Sequence, residues 1–176
     1  MTLARPTGFP ALFAAVVLGA LVFLAQTAGA SSTAATAACG GGQLAGKVRQ
    51  SSGAAGTSAI SIAVRNISPQ ACTLRGFPRL KLRNNAGPLP TLVRHGGLAI
   101  LEEPVATVTL APGQRASLLV TYSNVPTGNE TSCPQATRLV IILGNGRGRF
   151  SIAFSGAPCN GGRLHESPFL AGLHSV

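Results

Sequence analysis

Four cysteines, Cys39, Cys72, Cys133 and Cys159, have the most chemistry to offer in this 176-residue chain. A thiol can attack, ligate a metal or cross-link. Zinc wants clustered thiolates or imidazoles. No Cys-x-x-Cys pair occurs here, and His95, His165 and His174 are scattered. The carboxylates are few: Glu102, Glu103, Glu130 and Glu166, with no aspartate at all. A Ser-His-Asp triad is therefore excluded, although a glutamate could replace the aspartate. Glu102 and Glu103 are neighbours in "ILEEPV"; on a strand they would point to opposite faces and could not converge on one substrate. They read as exposed loop residues.

His95, in the loop-like stretch "VRHGG", carries the one enzymatic alternative, a hydrolase that uses His95 with a glutamate. That alternative requires the imidazole within hydrogen-bond reach of a carboxylate, with a serine or threonine in the same cleft. The glycine-rich "GNGRG" could cradle a phosphate only with a helix behind it. A strand pattern follows instead, so the segment reads as a hairpin turn. No catalytic, cofactor-binding or metal-binding residue is assigned, and the chain is read as a non-enzyme without a cofactor. "NIS" at Asn66 and "NET" at Asn129 match glycosylation acceptors and are taken as coincidental.

What remains for the cysteines is cross-linking, and the N-terminus supplies the compartment. Arg5 precedes the apolar run "ALFAAVVLGALVFLA", and "AGA" ends at Ala30 before "SS". That is the pattern of a signal peptide over residues 1–30 with cleavage after Ala30. The run is short for a membrane span of about 20 residues. A lipid-modified Cys39 would need an aliphatic residue at position 36, close behind the apolar run. Thr36 stands there, and the run ends at Ala25. All four cysteines follow the leader, and an even count in an exported chain argues for two disulfides. Residues 31–38, rich in Ser, Ala and Thr, read as a disordered tail. Residues 39–176 read as one domain, which a length under about 200 residues favours.

The domain reads as all-β. "TSAISIAVRNI" alternates Ile60, Ile62 and Val64 against Ser61, Ala63 and Arg65, the two-residue period of a half-buried strand. "RLKLR" sets Leu80 and Leu82 against Arg79, Lys81 and Arg83, and "RASLLVTY" repeats the pattern through Ala116, Leu118, Val120 and Tyr122. "RLVIIL" is apolar on both faces and should lie centrally in a sheet. "SSGAAG", "NNAG", "APGQ" and "GNGRG" supply turns. No helical period emerges beyond the leader. About seven to eight short strands at this spacing predict an immunoglobulin-like antiparallel β-sandwich, with a small β-barrel as the alternative.

Hairpin symmetry then selects a pairing from the three that four cysteines allow. A hairpin turning at "GNGRG" centres near residue 146, with Cys133 and Cys159 each 13 residues away. Cys39 and Cys72 are nearly equidistant from the turn at 55–56. Antiparallel strands bring equidistant residues together, which predicts Cys39–Cys72 and Cys133–Cys159, each closing the mouth of one hairpin.

Charge is the remaining signal. Lys and Arg total 14 against 4 acidic residues, a formal net charge of +10; loss of Arg5 with the leader leaves about +9. Such a surface attracts polyanions, although arginine-rich, lysine-poor usage is also what a GC-rich genome encodes. Arg75, Arg79, Lys81 and Arg83 form the one candidate anion-binding strip, for an anionic envelope polymer or lipid headgroups. Single-stranded nucleic acids stack on aromatic side chains, which are 5% of this chain, so nucleic acid is not favoured as a partner, and the same scarcity argues against an aromatic sugar-binding platform. The reading is an exported, envelope-associated binding or structural module whose partner is an anionic polymer or another exported protein. No membrane span is expected after the leader.

"CTLRGFPRLKLRNNAG" resembles the Cys-Thr-Leu-x-Gly-(Tyr/Phe)-Pro segment of secreted actinobacterial proteins grouped as domain of unknown function 4232. "VTLAPGQRASLLV", "CPQATRLVI" and "CNGGRLHESPF" resemble that family's later segments. The resemblance runs from Cys39 to about Phe169. It implies export, sometimes with a lipid tether, and a β-sandwich. It implies no activity and no catalytic residues. The scarcity of acidic residues here departs from the family pattern.

Overall fold

The computed structural model describes residues 35–97 and 99–176. The leader and the cleavage point at Ala30 lie outside the described residues. Among the described residues no helix is long and apolar enough to cross a membrane.

Twelve strands follow one another: β1 (Leu44–Ala54), β2 (Thr57–Asn66), β3 (Cys72–Arg75), β4 (Arg79–Asn84), β5 (Gly87–Pro88), β6 (Leu92–His95), β7 (Thr107–Leu110), β8 (Arg115–Ser123), β9 (Ala136–Ile142), β10 (Arg149–Gly156), β11 (Arg163–Glu166) and β12 (Leu170–Ala171). Three-residue 3₁₀ turns sit at Gly41–Gln43 and Ala99–Leu101. The strands build a six-stranded sheet in the order β1-β2-β8-β11-β6, with β12 also paired to β8. A four-stranded sheet runs β10-β9-β4-β5, and β3 pairs with β7. Both larger sheets keep open edges, so the architecture is a sandwich and not the barrel alternative. The count exceeds seven to eight because loops contribute strands of two to four residues, too short to show a period. One pair, β11 with β6, is parallel.

Alternation explains the core. Ile60, Ile62 and Val64 of β2 and Leu118 and Val120 of β8 face Leu80 and Leu82 of β4 and Leu139 and Ile141 of β9 across the sandwich, all at 3% exposure or less. Each such side chain contributes about 1.5–3 kcal/mol relative to exposure. The sequence misses one feature: the other face of β2 and β8 is covered too. Leu119 packs with Leu101 and Leu170, and Val176 lies against them. Ser61 Oγ donates to the His174 carbonyl, and Ser117 Oγ donates to Gly172 and accepts from His174 N–H. The covering residues come from a coil and from the end of the chain, which no local period of β2 announces.

Both disulfides form as expected, Cys39–Cys72 and Cys133–Cys159, each with Cα atoms 4.8 Å apart. The second closes the mouth of the β9–β10 hairpin, whose register pairs Ala136 with Gly156. The first has another geometry. Residues 37–39 run parallel to β3, with Ala38 bridged to Thr73, so this bond ties the entrance of β1 to a strand of another sheet. Ala37, assigned by sequence to the tail, accepts from the Thr73 N–H, and Cys39 N–H donates to the Thr73 carbonyl.

Candidate anion-binding face

β4 places Leu80 and Leu82 in the core and Arg79, Lys81 and Arg83 in solvent. Its neighbour β9 alternates in phase: Leu139 and Ile141 point inward, while Arg138 is exposed and Val140 and Ile142 are half-buried. The sheet register places Ile142 between Arg79 and Arg149, Val140 between Lys81 and Ser151, and Arg83 beside Arg138. The outer face of the four-stranded sheet is thus a short apolar strip, Val140 and Ile142, flanked by five exposed cations. A groove of about 580 Å³ runs along it. Residues two apart on a strand are about 7 Å apart, and neighbouring strands about 4.8 Å. Successive cations in the series Arg79, Lys81, Arg83 and Arg138 therefore sit within a Debye length of about 8 Å of one another at physiological salt, and neighbouring fields add.

No carboxylate lies on β4, β5, β9 or β10. The ion-pair contact found among the described residues is elsewhere, between His95 and Glu166. Arg149 is positioned by the segment after Cys39. Gly41 N–H donates to the Arg147 carbonyl at 2.8 Å, and Asn145 Nδ2 donates to the Cys39 carbonyl at 3.1 Å. A Cβ on Gly41 would collide with the Arg149 backbone, so any side chain there would push the hairpin away.

Of the sequence strip, Arg79, Lys81 and Arg83 share this face. Arg75 does not; it is carried by β3, in the two-stranded sheet, opposite Thr107. Arg138 and Arg149 complete the face and were missed. The alternation of "ATRLVII" around Leu139 and Ile141 could have found Arg138.

His95 sits on β6 and not in a loop, directly opposite Glu166 of β11. Its Nδ1 lies 3.1 Å from Glu166 Oε1, beside the carboxylate but out of hydrogen-bond alignment. Burial pushes Glu166 up to about 9. Phe77 stacks on the imidazole at 4.2 Å. One condition of the hydrolase alternative, the carboxylate, is therefore met. No serine or threonine hydroxyl is hydrogen-bonded to His95 among the described residues. Glu102 and Glu103 are exposed, as expected; Glu102 accepts from Gly97 N–H. Glu130 lies with Cys133 and Cys159 within 4.8 Å, but both sulfurs are bonded to each other. Its carboxylate accepts from Asn160 and Gly161 N–H at 2.7 and 3.2 Å, which holds it below the usual carboxylate range. Those contacts describe a loop brace. Asn66, the first glycosylation match, is fully buried and donates to Gln70 and Leu110.

No curated protein matches the chain, and no solved structure matches it. A family model does match, over residues 39–169, from the first disulfide cysteine to the buried Phe169. The chain belongs to the family described as Domain of unknown function (DUF4232).

Proposed function

We propose that this protein is an exported, non-catalytic binding module of the cell envelope, and that the outer face of the β10-β9-β4-β5 sheet holds an anionic polymer. The observation that carries the reading is the set Arg79, Lys81, Arg83, Arg138 and Arg149 on one sheet face without a carboxylate. Single exposed ion pairs are worth about 0–1 kcal/mol. Five cations on one polymer therefore reach a few kcal/mol, a Kd of about the millimolar range, with strong salt dependence. The half-buried Val140 and Ile142 give the polymer's apolar backbone atoms a surface to rest on. Two disulfides suit an oxidising compartment.

Retention on immobilised heparin tests the assignment. Changing all five cations to serine should bring elution to markedly lower salt. A control that changes Lys47, Arg49, Arg94, Arg115 and Arg163 to serine removes as many charges elsewhere and should elute close to wild type. Equal loss in both variants would mean that net charge alone drives retention and that this face is no site.

A further inference from the structure

The two sandwich sheets meet at one side through their edge strands, β1 and β10. They touch at Gly46, where a Cβ would stand 2.9 Å from both Ile152 Cγ2 and Phe150 Cε2. Beyond this point each strand breaks register, β1 between Val48 and Gln50 and β10 between Ala153 and Gly156. Paired irregularities bend strands and re-aim side chains. Here they let the edges part, and a cleft of about 650 Å³ opens between the sheets.

Its lining is unlike the rest of this basic surface. No charged residue borders it. Five hydroxyl-bearing residues, Ser51, Ser52, Ser58, Thr137 and Ser155, border it. Ser58 accepts from Asn124 Nδ2 at 3.1 Å; the other four make no hydrogen bond among the described residues. The floor is apolar and aromatic: Ile60, with Tyr122 and Phe154 edge-to-face at 5.8 Å. Tyr122 is only 6% exposed, and its hydroxyl has no hydrogen-bond partner among the described residues. Gly156 lies directly over it, since a Cβ there would come into contact with that oxygen.

We infer that this cleft binds an uncharged saccharide. A sugar ring offers C–H faces to Tyr122, Phe154 and Ile60, and hydroxyls that both donate and accept at its rim. The lining offers the same pairing in reverse: hydroxyls of either hydrogen-bond sense above an aromatic floor. The volume falls within the ordinary range for small-ligand sites, about 300–1,000 Å³, and takes one or two sugar units. A phosphate or carboxylate would find no cation there. The inference does not rest on the basic face, because none of its five cations borders the cleft.

The test is an amide-resolved NMR titration of the disulfide-bonded protein with maltotetraose, cellotetraose and tetra-N-acetylchitotetraose. At least one should saturate with a Kd of about 1 mM or tighter and shift Ser51, Ser52, Ser58 and Ser155. Tyr122→Phe, which removes one oxygen and keeps the packing, should weaken binding about three- to tenfold. Ser155→Trp, on the exposed rim, should abolish it. The Arg79→Ser, Lys81→Ser, Arg83→Ser variant should bind the saccharide as wild type does, whatever becomes of its polyanion binding. Absence of saturation with all three sugars, shifts confined to another surface, or undiminished binding by both cleft variants would overturn the inference. Saturation by an extended valine–threonine hexapeptide in place of the sugars would overturn it as well, in favour of strand addition at the open edges.

Discussion

Glu166 is fully buried, and the nearest polar atom recorded for its carboxylate is His95 Nδ1. A charged carboxylate in such a place is costly, so the group keeps its proton up to about 9 instead of releasing it near 4.5. Between those two values the folded chain holds a proton that the unfolded chain has lost. The contribution to stability is fully present below about 4.5 and is lost as pH rises towards 9. The melting temperature should therefore fall between pH 5 and pH 9, and Glu166→Gln should flatten that decline, with the largest gain over wild type at the alkaline end. A variant whose melting curve tracks wild type at every pH would show that the carboxylate is solvated. Nothing local in "RLHESP" reveals this burial, because it comes from the parallel pairing of β11 with β6 and the covering of β8. By contrast, the inward Leu80 and Leu82 and the outward Arg79, Lys81 and Arg83 follow from alternation within one strand, where sequence is a direct record of facing.

At the scale of elements, hairpins with recognisable turns were legible and cross-sheet ties were not. Ala55 and Gly56, both at positive φ, turn β1 into β2 as "SSGAAG" suggests. The equal spacing of Cys133 and Cys159 about "GNGRG" follows the β9–β10 register. For Cys39 and Cys72 the same symmetry named the right partners but not their setting, since the bond joins parallel segments of separate structures. Sequence separations of 33 and 26 residues give about 3–4 kcal/mol of stabilisation per bridge from loop closure. Two double variants, Cys39→Ser with Cys72→Ser and Cys133→Ser with Cys159→Ser, should each lower the urea-unfolding free energy by about that amount. The first should also weaken polyanion binding, because residues 39–41 hold the hairpin that carries Arg149. Equal polyanion binding by the two variants would show that this grip does not depend on the bridge.

Across the whole molecule, charge is segregated. The cations of β4, β9 and β10 line the outside of one sheet, and the four glutamates lie in loops or, for Glu166, inside. The uncharged cleft opens at the edge between the sheets. Sequence could place Arg79, Lys81 and Arg83 on one strand. It could not assemble them with Arg138 and Arg149, because a face spanning three strands depends on register between segments about 60 residues apart in the chain. The same limit hid the cleft, which exists only where two separate strands part. The central claim is that this face, rather than net charge, engages polyanions, and amide-resolved NMR titration with heparin oligosaccharides tests it most directly. Shifts should concentrate on β4, β9 and β10 around Lys81, Arg138, Val140 and Arg149, and fade as salt rises; shifts spread evenly over all the basic residues, or centred on β6 and β11, would contradict it.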